Sequence, residues 1–232
     1  MFTVGSAFWG GAARDEYAAS VLALLHFNEA DGTSSPANSL GSATISNDGS
    51  ASAPATNAVK STSAKFGAGG WLSAGGPTGL KPSKITSASL PYTLEFFVKP
   101  VTMGGSWRFF AATTSGSGHE FALACSGGNV YYVNNAAFDQ ATTGTMSTGT
   151  WYHIAVCYDG TTVVVYQDGA SIYSSSVNAR SLSSTTVTLG VGCSVAIGGA
   201  DGTGSFDEFR WTHGVNRYPS GLTIPAAEYP DS

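Results

Sequence analysis

The chain has 232 residues and a formal net charge of −5, and charged residues make up only 11% of it, well below the usual quarter. The negative balance and the lack of a Lys/Arg cluster argue against nucleic-acid binding. No apolar run approaches the 18 residues that a membrane-spanning helix needs. Hydrophobic residues reach 42%, so we expect a sizeable core and a surface rich in Ser, Thr, Asn, Gly and Ala.

The N-terminal segment lacks a basic stretch followed by an apolar core, so we predict no secretory signal. Residues 1–19 are predicted to be an arm that docks on a neighbouring subunit or a larger assembly. The three cysteines, Cys125, Cys157 and Cys193, show no metal-ligand spacing. Their odd number and strand-like surroundings predict buried free thiols in a protein that folds in a reducing cytoplasm.

Residues 20–232 are predicted to form one domain built of strands. Ser20–Asn28 is apolar nearly throughout and predicts the first core strand, whereas residues 32–65 resemble a long connection with one candidate strand at Ala43–Ile45. Tyr92–Val101 alternates apolar and polar residues, as does a strand with one face in a core. The other short strands predicted outside the central segment are Trp107–Thr113, Glu120–Cys125, Asn129–Val133, Thr185–Leu189, Val195–Ile197 and Gly204–Thr212.

The central segment predicts three strands joined by two tight turns. Trp151–Tyr158 and Thr161–Gln167 are rich in aromatic and β-branched residues, which fit a pleated surface. Asp159-Gly160 and Asp168-Gly169 separate the strands, and Asp-Gly supplies the positive φ angles of a hairpin turn. About a dozen such strands with Gly-rich turns, and no helical periodicity beyond one turn, predict an all-β, two-sheet antiparallel sandwich.

Five segments, taken in this order, resemble the laminin-G-like, concanavalin A-like jelly-roll family: LLHFNEADG, KFGAGGWL, YTLEFFVKP, WYHIAVCYDGTTVVVYQDG and FDEFRWTHGVNRYPSG. The resemblance covers residues 20–232, and its most specific parts are Trp151–Gly169 and Phe206–Arg210. From Thr212 onward the sequence is similar to copies of this module in structural proteins of tailed bacteriophages.

The resemblance implies a jelly-roll sandwich of two antiparallel sheets with six or seven strands each. It also implies binding of carbohydrate or protein at one rim or on the concave face, and many members of the family carry one calcium ion.

The carboxylates do not form a pattern typical of glycan hydrolysis. No E-x-D-x-x-E strand is present, which would place two carboxylates on one face around the scissile bond. Asp207 and Glu208 are adjacent, so a regular strand would direct them to opposite faces, and Glu208 and Arg210 would share a face as a charge pair. There is no Gly-x-Ser-x-Gly motif. We therefore predict a protein that is not an enzyme.

Calcium would require six to eight oxygen ligands from loops. Asp31 follows the first strand and Asp207 lies in the last, and these two would be close if the two strands pair. They are the candidate metal ligands. The alternative is that Asp31 caps its turn and Asp207 binds backbone groups, both common local uses of Asp.

Sugar binding calls for an exposed aromatic ring beside a few polar side chains. Trp107 and Arg108 follow a Gly-Gly-Ser turn, and a Tyr-Tyr-Val-Asn-Asn segment ends a strand at a loop. The other tryptophans lie in blocks typical of the family core and are expected to be buried: Trp71, Trp151 and Trp211. The candidate ligand-binding residues are Trp107, Arg108, Tyr132, Asn134 and Asn135.

These observations predict a structural and adhesive module of a phage particle, in a tail fibre, tail tip or head decoration, with host-surface glycan as a candidate ligand. Its expected location is the virion, its expected partners are other virion subunits, and a homo-oligomer is expected. Two alternatives remain open: a virion assembly protein without a sugar ligand, and a secreted bacterial carbohydrate-binding domain outside the cell.

Overall fold

The computed structural model describes residues 14–27, 37–41, 45–48, 51–55, 63–66, 71–74, 90–103, 107–114, 119–134, 137–176, 187–191, 203–225 and 228–232. Among these residues a single 3₁₀ turn, Ala18–Ser20, precedes the first strand. No helix in this part of the chain has the length and apolar character required to cross a membrane.

The described residues form fifteen strands. They are β1 (Val21–Leu25), β2 (Ile45–Asp48), β3 (Ala51–Ala55), β4 (Ser63–Phe66), β5 (Trp71–Ala74), β6 (Tyr92–Thr102), β7 (Trp107–Thr114), β8 (His119–Ser126), β9 (Asn129–Asn134), β10 (Ala137–Thr145), β11 (Tyr152–Tyr158), β12 (Val163–Gln167), β13 (Ala170–Ser175), β14 (Val187–Val191) and β15 (Thr203–His213).

The strands pair into two antiparallel sheets. One has eight strands in the order β13-β12-β11-β6-β15-β4-β3, with β1 pairing with the second half of β15. The other has seven strands in the order β10-β9-β8-β7-β14-β5-β2. The predicted two-sheet antiparallel jelly-roll sandwich is confirmed, including the pairing of the first strand with the last, and one sheet has more strands than the six or seven expected.

The central segment forms the predicted meander β11-β12-β13, but its two turns differ. Asp168 and Gly169 both have positive φ angles, 49° and 83°, as a two-residue hairpin turn requires. The first turn is instead a four-residue loop over residues 159–162. The Asp159 side chain accepts hydrogen bonds there from the backbone N–H groups of Thr161 and Thr162 at 2.8 and 2.7 Å. A side chain thus closes a loop that the sequence predicted to be a tight turn.

The prediction of a long connection over residues 32–65 is wrong, because β2 and β3 and most of β4 lie there. The Ser- and Ala-rich sequences of β3 and β4 carry no alternation that would mark strands, and β5 was likewise not predicted as a strand.

The strand β10 was not predicted from the sequence either. Its residues, AFDQATTGT, are mostly small and polar and show no alternation. It lies at the edge of the seven-stranded sheet, where fewer side chains must be apolar. The predicted strand Val195–Ile197 lies outside the described residues.

Two of the three cysteines, Cys125 and Cys157, are described, and both are buried free thiols as predicted. Burial raises the pKa of the Cys157 thiol far above its usual range. Cys193 lies outside the described residues.

The core lies between the two sheets and is formed by the side chains that point inward from their strands. Leu94, Phe96 and Val98 of β6 alternate into it, because successive side chains of a strand point to opposite faces. Phe96 packs against Phe206 and Phe209 of β15, with ring centroids 5.8 and 6.3 Å apart.

Strand β15 contains a β-bulge that shifts its alternation. Asp207 pairs with Phe97 and Arg210 pairs with Glu95, so three steps on β15 match two on β6. Glu208 takes up the extra residue with a φ of +51°. The buried core residues of β15 are consequently Phe206, Phe209 and Trp211.

The regular alternation predicted for β15 is therefore wrong beyond Asp207. A regular strand would place Phe206 on one face with Glu208 and Arg210, and Phe209 and Trp211 on the other face. The inserted residue reverses that assignment after the bulge.

Residues 214–225 and 228–232, named here the C-terminal tail, pack on the outer face of the eight-stranded sheet, which is the face turned away from the other sheet. Tyr218 and Leu222 contact Ala155 and Cys157 of β11. Farther along the tail, Tyr229 packs against β1. The tail thus covers a sheet face that solvent would otherwise reach.

Candidate functional site

Charged residues lie beneath the C-terminal tail on the outer face of the eight-stranded sheet. Arg210 of β15 lies opposite Glu95 of β6. Its Nε and Nη2 groups donate to Glu95 Oε1 at 2.9 and 2.8 Å. Side-chain exposure is 6% for Arg210 and zero for Glu95, so this ion pair is shielded from water.

Asp15 brings a second carboxylate to the same place from the N-terminal side. It accepts a hydrogen bond from Arg210 Nη1 at 3.1 Å and a two-pronged pair from Arg217 of the tail, both at 2.8 Å. Burial alone would raise the pKa of Asp15, but the hydrogen bonds from Arg217 and the Tyr17 N–H outweigh it and lower that pKa. The backbone N–H of Asp15 also donates to the carbonyl of Ser232, so the ends of the described chain meet.

Two tyrosines of the tail complete the environment of Glu95. Tyr218 donates its hydroxyl to Glu95 Oε2 at 2.6 Å, and Tyr229 donates to the same oxygen at 3.3 Å. Burial would raise the pKa of Glu95, but hydrogen bonding from His153 and the charge of Arg210 outweigh it and lower the pKa to about 2. Glu95 is therefore ionised at neutral pH.

We name Asp15, Glu95, Arg210 and Arg217 the buried charged cluster. Two carboxylates face two guanidinium groups, so the formal charges cancel. The Arg210 guanidinium also lies 3.8 Å from the centre of the Tyr229 ring. Such closely paired charges offset the cost of removing ions from water, which an unpaired buried charge cannot do.

A second buried ionic contact lies beside this cluster. His26 Nδ1 lies 2.9 Å from Glu208 Oε1, and His26 Nε2 lies 2.9 Å from Asp231 Oδ1. The hydrogen bond to Glu208 is the largest influence on His26; with Asp231 it outweighs burial and raises the pKa of His26 to about 9. The imidazole is thus protonated at neutral pH and donates to both carboxylates. Glu208 also accepts from the backbone N–H of Tyr229 at 2.9 Å.

The predicted charge pair between Glu208 and Arg210 is wrong. Glu208 binds His26, and Arg210 binds Glu95 and Asp15. The bulge at Glu208 is the reason, since the i, i+2 relation assumes a regular strand.

Only one of the two candidate calcium ligands, Asp207, lies among the described residues. Asp207 is fully buried in β15, and Asp31 lies outside the described residues. No group of three or more His, Cys, Asp or Glu side chains among the described residues is arranged to hold a metal ion. The calcium site stays a prediction.

The structure separates the candidate ligand-binding residues. Tyr132 is fully buried in the core and stacks on Tyr173 at 5.2 Å, so the prediction of an exposed ring is wrong for this residue. Val130 and Tyr132 both occupy the inward face of β9, and Tyr131 is on the other face. From sequence alone, either tyrosine of the pair could have faced outward.

Three of the remaining candidates lie in strands whose register is known, and the fourth lies outside the described residues. Trp107 lies opposite Cys125, a core residue, and Arg108 lies opposite Ala124, which belongs to the other face of β8. Asn134 ends β9 opposite Phe121, and Asn135 lies outside the described residues. Their role in binding stays a prediction.

Sequence reasoning missed the residues that build the buried charged cluster. The sequence placed Asp15 in an arm expected to dock on another subunit. In the structure Asp15 is buried against the sheet of its own chain, where it pairs with Arg210. Glu95 and Arg210 fall on the same strand pair in the family-like blocks YTLEFFVKP and FDEFR. A charged residue in each of two core strands indicated a buried ion pair. The sequence did not show that Arg210, and not Glu208, lies opposite Glu95, because that register depends on the bulge.

The family model described as the concanavalin A-like lectin/glucanases superfamily, of laminin G type, matches residues 73–215. The chain belongs to this family. No curated protein sequence matches this laminin-G-like chain.

Solved structures share the fold of this laminin-G-like chain at low sequence identity. A Trypanosoma rangeli sialidase in complex with sialic acid matches at 15% identity and a TM-score of 0.64, over 92% of this chain and 32% of that one. A structure of botulinum neurotoxin type C, whose cell entry depends upon interaction with two ganglioside molecules, matches at 13% identity and a TM-score of 0.59. That match covers 93% of this chain and 50% of the neurotoxin chain. The laminin-G-like chain therefore spans about a third to a half of these proteins, and the likeness concerns the fold.

Two aromatic side chains in or next to strands of the laminin-G-like domain are partly exposed, Trp151 and Tyr131. Trp151 was expected to be buried, but it is half-buried, and the Lys99 ammonium lies 5.0 Å from its ring centre. Trp211 is fully buried as predicted. On the seven-stranded sheet, Tyr131 packs partly over Ala122 and Ala124, whose small side chains leave room beside the ring.

Proposed function

We propose that this laminin-G-like domain is a non-enzymatic structural and adhesive module that binds glycan. The observation that carries the proposal is the state of the buried charged cluster. Each of its four ionic groups is held by a partner within the fold, and none is more than 6% exposed. These ion pairs hold Asp15, together with Arg217 of the tail, against the sheet.

Catalysis would require different surroundings. A general acid or base must reach the substrate proton within hydrogen-bond distance or through one water molecule. Glu95 instead accepts hydrogen bonds from Arg210, Tyr218 and Tyr229 and has no solvent-exposed side-chain surface. This arrangement supports a binding role in preference to hydrolysis.

Glycan is the ligand class that the family and the surface both favour. Related folds include a sialidase solved with sialic acid and a neurotoxin that interacts with gangliosides. Sugar rings stack on aromatic faces beside polar groups, and Trp151 and Tyr131 are partly exposed aromatic side chains on opposite sheets. Both surfaces are candidate contact sites.

We further propose that the module belongs to a phage particle and assembles there as a homo-oligomer with other virion subunits. The sequence after Thr212 supports this setting through its similarity to tailed-phage modules. In the structure, Arg217 and Tyr218 of that segment hold the tail on the sheet. Calcium held by Asp31 and Asp207 is a further part of the proposal.

Binding of the purified chain to a broad glycan array, with calcium and with EGTA, tests the proposal. We expect specific binding that weakens in Tyr131→Ala or in Trp151→Ala, while the buried Tyr132→Phe leaves it unchanged. Binding that disappears in EGTA would support the calcium site, and equal binding in both conditions would oppose it. A blank array would leave the assembly role without a sugar ligand.

The virion setting has its own test. If the protein is a structural component, it co-sediments with purified particles in stoichiometric amount. Recovery only in the soluble fraction or the culture medium would contradict that setting and favour a secreted binding domain.

A further inference from the structure

At one end of the eight-stranded sheet, the outer face carries side chains that the C-terminal tail leaves partly exposed. Strand register pairs Tyr152 with Val98, and Trp151, the residue before β11, has its ring centre 5.0 Å from the Lys99 ammonium of β6. Both side chains are partly exposed, and Val101, two residues farther along β6, is 46% exposed. Residues 147–150, which lead into Trp151, are exposed as well. We name Lys99 and Trp151 the Lys99–Trp151 corner.

The Lys99 ammonium is available to an anion. Arg210 and Arg217 form ion pairs inside the buried charged cluster. Lys99 takes part in none of the ion pairs among the described residues. Its ammonium lies over the indole ring, which holds a cation by electrostatic attraction without neutralising it. A cation held in place in this way loses little conformational freedom when an anion binds.

The neighbouring strands extend the same row across the sheet. Ser205 of β15 lies opposite Lys99, and Lys65 of β4 lies opposite Ser205. Adjacent strands are about 4.8 Å apart, so the two lysine positions are separated by about 10 Å, roughly the length of two sugar rings. Ser205 itself is buried, so what the row adds to the Lys99–Trp151 corner is a second basic position, Lys65. The nearest buried carboxylate on β15, Asp207, lies two residues along the strand from Ser205, opposite Phe97.

We propose that the Lys99–Trp151 corner is a binding subsite for the negatively charged sugar of an acidic glycan. The ammonium binds the carboxylate of a sialic or uronic acid, and the indole contacts the apolar C–H face of the same sugar or of its neighbour. The inference rests on the proposed glycan-binding function and specifies its ligand class. The protein itself carries a net charge of −5, so a local cation is needed to hold such a ligand.

The test uses the full chain on an array that carries sialylated and uronic-acid glycans beside their neutral counterparts. Lys99→Gln removes the charge and keeps a side chain of similar length. We expect its binding to acidic glycans to be about tenfold weaker than that of the wild type, equivalent to about 1.4 kcal/mol, with unchanged binding to neutral glycans. Raising the salt concentration should weaken acidic binding in the wild type and have little effect in Lys99→Gln, because salt screens exposed charges.

Arg14→Gln is the matched control, since Arg14 is an exposed cation beside the buried Asp15 and its loss changes the net charge by the same amount. It should bind acidic glycans as the wild type does. Trp151→Ala should weaken binding while its melting temperature verifies that the domain still folds.

The outcomes separate this inference from the proposed function. Binding to acidic glycans that is equal in Lys99→Gln and wild type, or binding to neutral glycans alone, overturns the Lys99–Trp151 subsite and leaves glycan binding intact. A blank array overturns both. An equal loss in Arg14→Gln would show that net charge, and not this corner, attracts the ligand, and it would also overturn the subsite.

Discussion

Strands β6 and β15 present two buried faces of opposite chemistry. On the inner face, Phe96 meets Phe206 and Phe209, and only apolar groups are in contact. On the outer face of the same two strands, Glu95 meets Arg210 with no more exposure than the core has. The inner face is covered by the second sheet, and the outer face is covered by chain termini that bring their own charges and tyrosines.

This difference shows that burial alone does not require apolar residues. An apolar face needs only surface to cover it, because the hydrophobic effect has no direction. A charged face needs a cover whose donors and acceptors fit in place, since an unsatisfied buried group costs free energy. The tail provides that fit through Arg217, Tyr218 and Tyr229. We therefore expect the outer face to depend far more on single polar atoms than the inner face does.

The largest effect is expected for Arg210→Ala. It leaves Glu95 and part of Asp15 without a counter-charge in a dry site, and breaking a buried pair in this way costs about 3–5 kcal/mol. The loss should appear as a lower midpoint in urea unfolding. The inner-face control Ile154→Val removes one buried methyl group and should cost only about 1 kcal/mol.

A double substitution sharpens this prediction. Arg210→Met combined with Glu95→Met removes both charges and keeps the volume, so it should recover much of the stability lost in Arg210→Ala. If the double variant is no more stable than Arg210→Ala, the cluster does not act through paired charges.

A smaller effect is expected for Tyr218→Phe. The substitution deletes one hydroxyl that donates to the ionised Glu95 at 2.6 Å and leaves the packing on Ala155 and Cys157 in place. Hydrogen bonds to charged groups contribute about 1.5–3 kcal/mol, and we expect a loss in that range. Tyr166→Phe is a control, because Tyr166 packs in the same apolar cluster. An equal loss in both variants would contradict a specific bond to Glu95.

The smallest effect is expected from pH, acting on His26. Its pKa is raised from 6.5 to about 9 in the fold, so its stabilising contribution is complete below pH 6.5 and is lost as pH rises through 9. Between pH 7 and pH 9 the loss should be on the order of 1–2 kcal/mol, reduced because the Asp231 side chain is mostly exposed and screened. The measurement is the urea midpoint as a function of pH.

His26→Asn provides the reference for this pH dependence. It cannot gain or lose a proton in this range, so the difference in unfolding free energy between it and the wild type should shrink as pH rises toward 9. A difference that stays constant from pH 7 to pH 9 would show that His26 is not the titrating group.

Much of the fold was readable from the sequence because it depends on local patterns. The alternation in Tyr92–Val101 and the Asp-Gly turn at Asp168 fixed strands near their observed bounds. Features without a local pattern were missed: β10 is polar, and the loop after Asp159 is closed by one side chain. Tyr131 and Tyr132 were ambiguous because both could face outward until the partner strands set the register.

The candidate site was readable only in part. The blocks that contain Glu95 and Arg210 were singled out, but their meeting depends on a bulge of one residue at Glu208. Asp15 and Arg217 are 202 positions apart in the chain, and no spacing rule links them. Trp151 was expected to be buried because it lies in a core-like block, yet it is partly exposed beside Lys99.

The sequence by itself determined the all-β class, the antiparallel sandwich and the family, since alternation and turn residues act over a few positions. Only the tertiary structure decided that the outer face of β6 and β15 carries charge in a dry environment. That choice depends on a tail and an N-terminal segment that meet there across the whole length of the chain. A buried charge is stable only when its partners arrive together, and the folded chain alone brings them to one place.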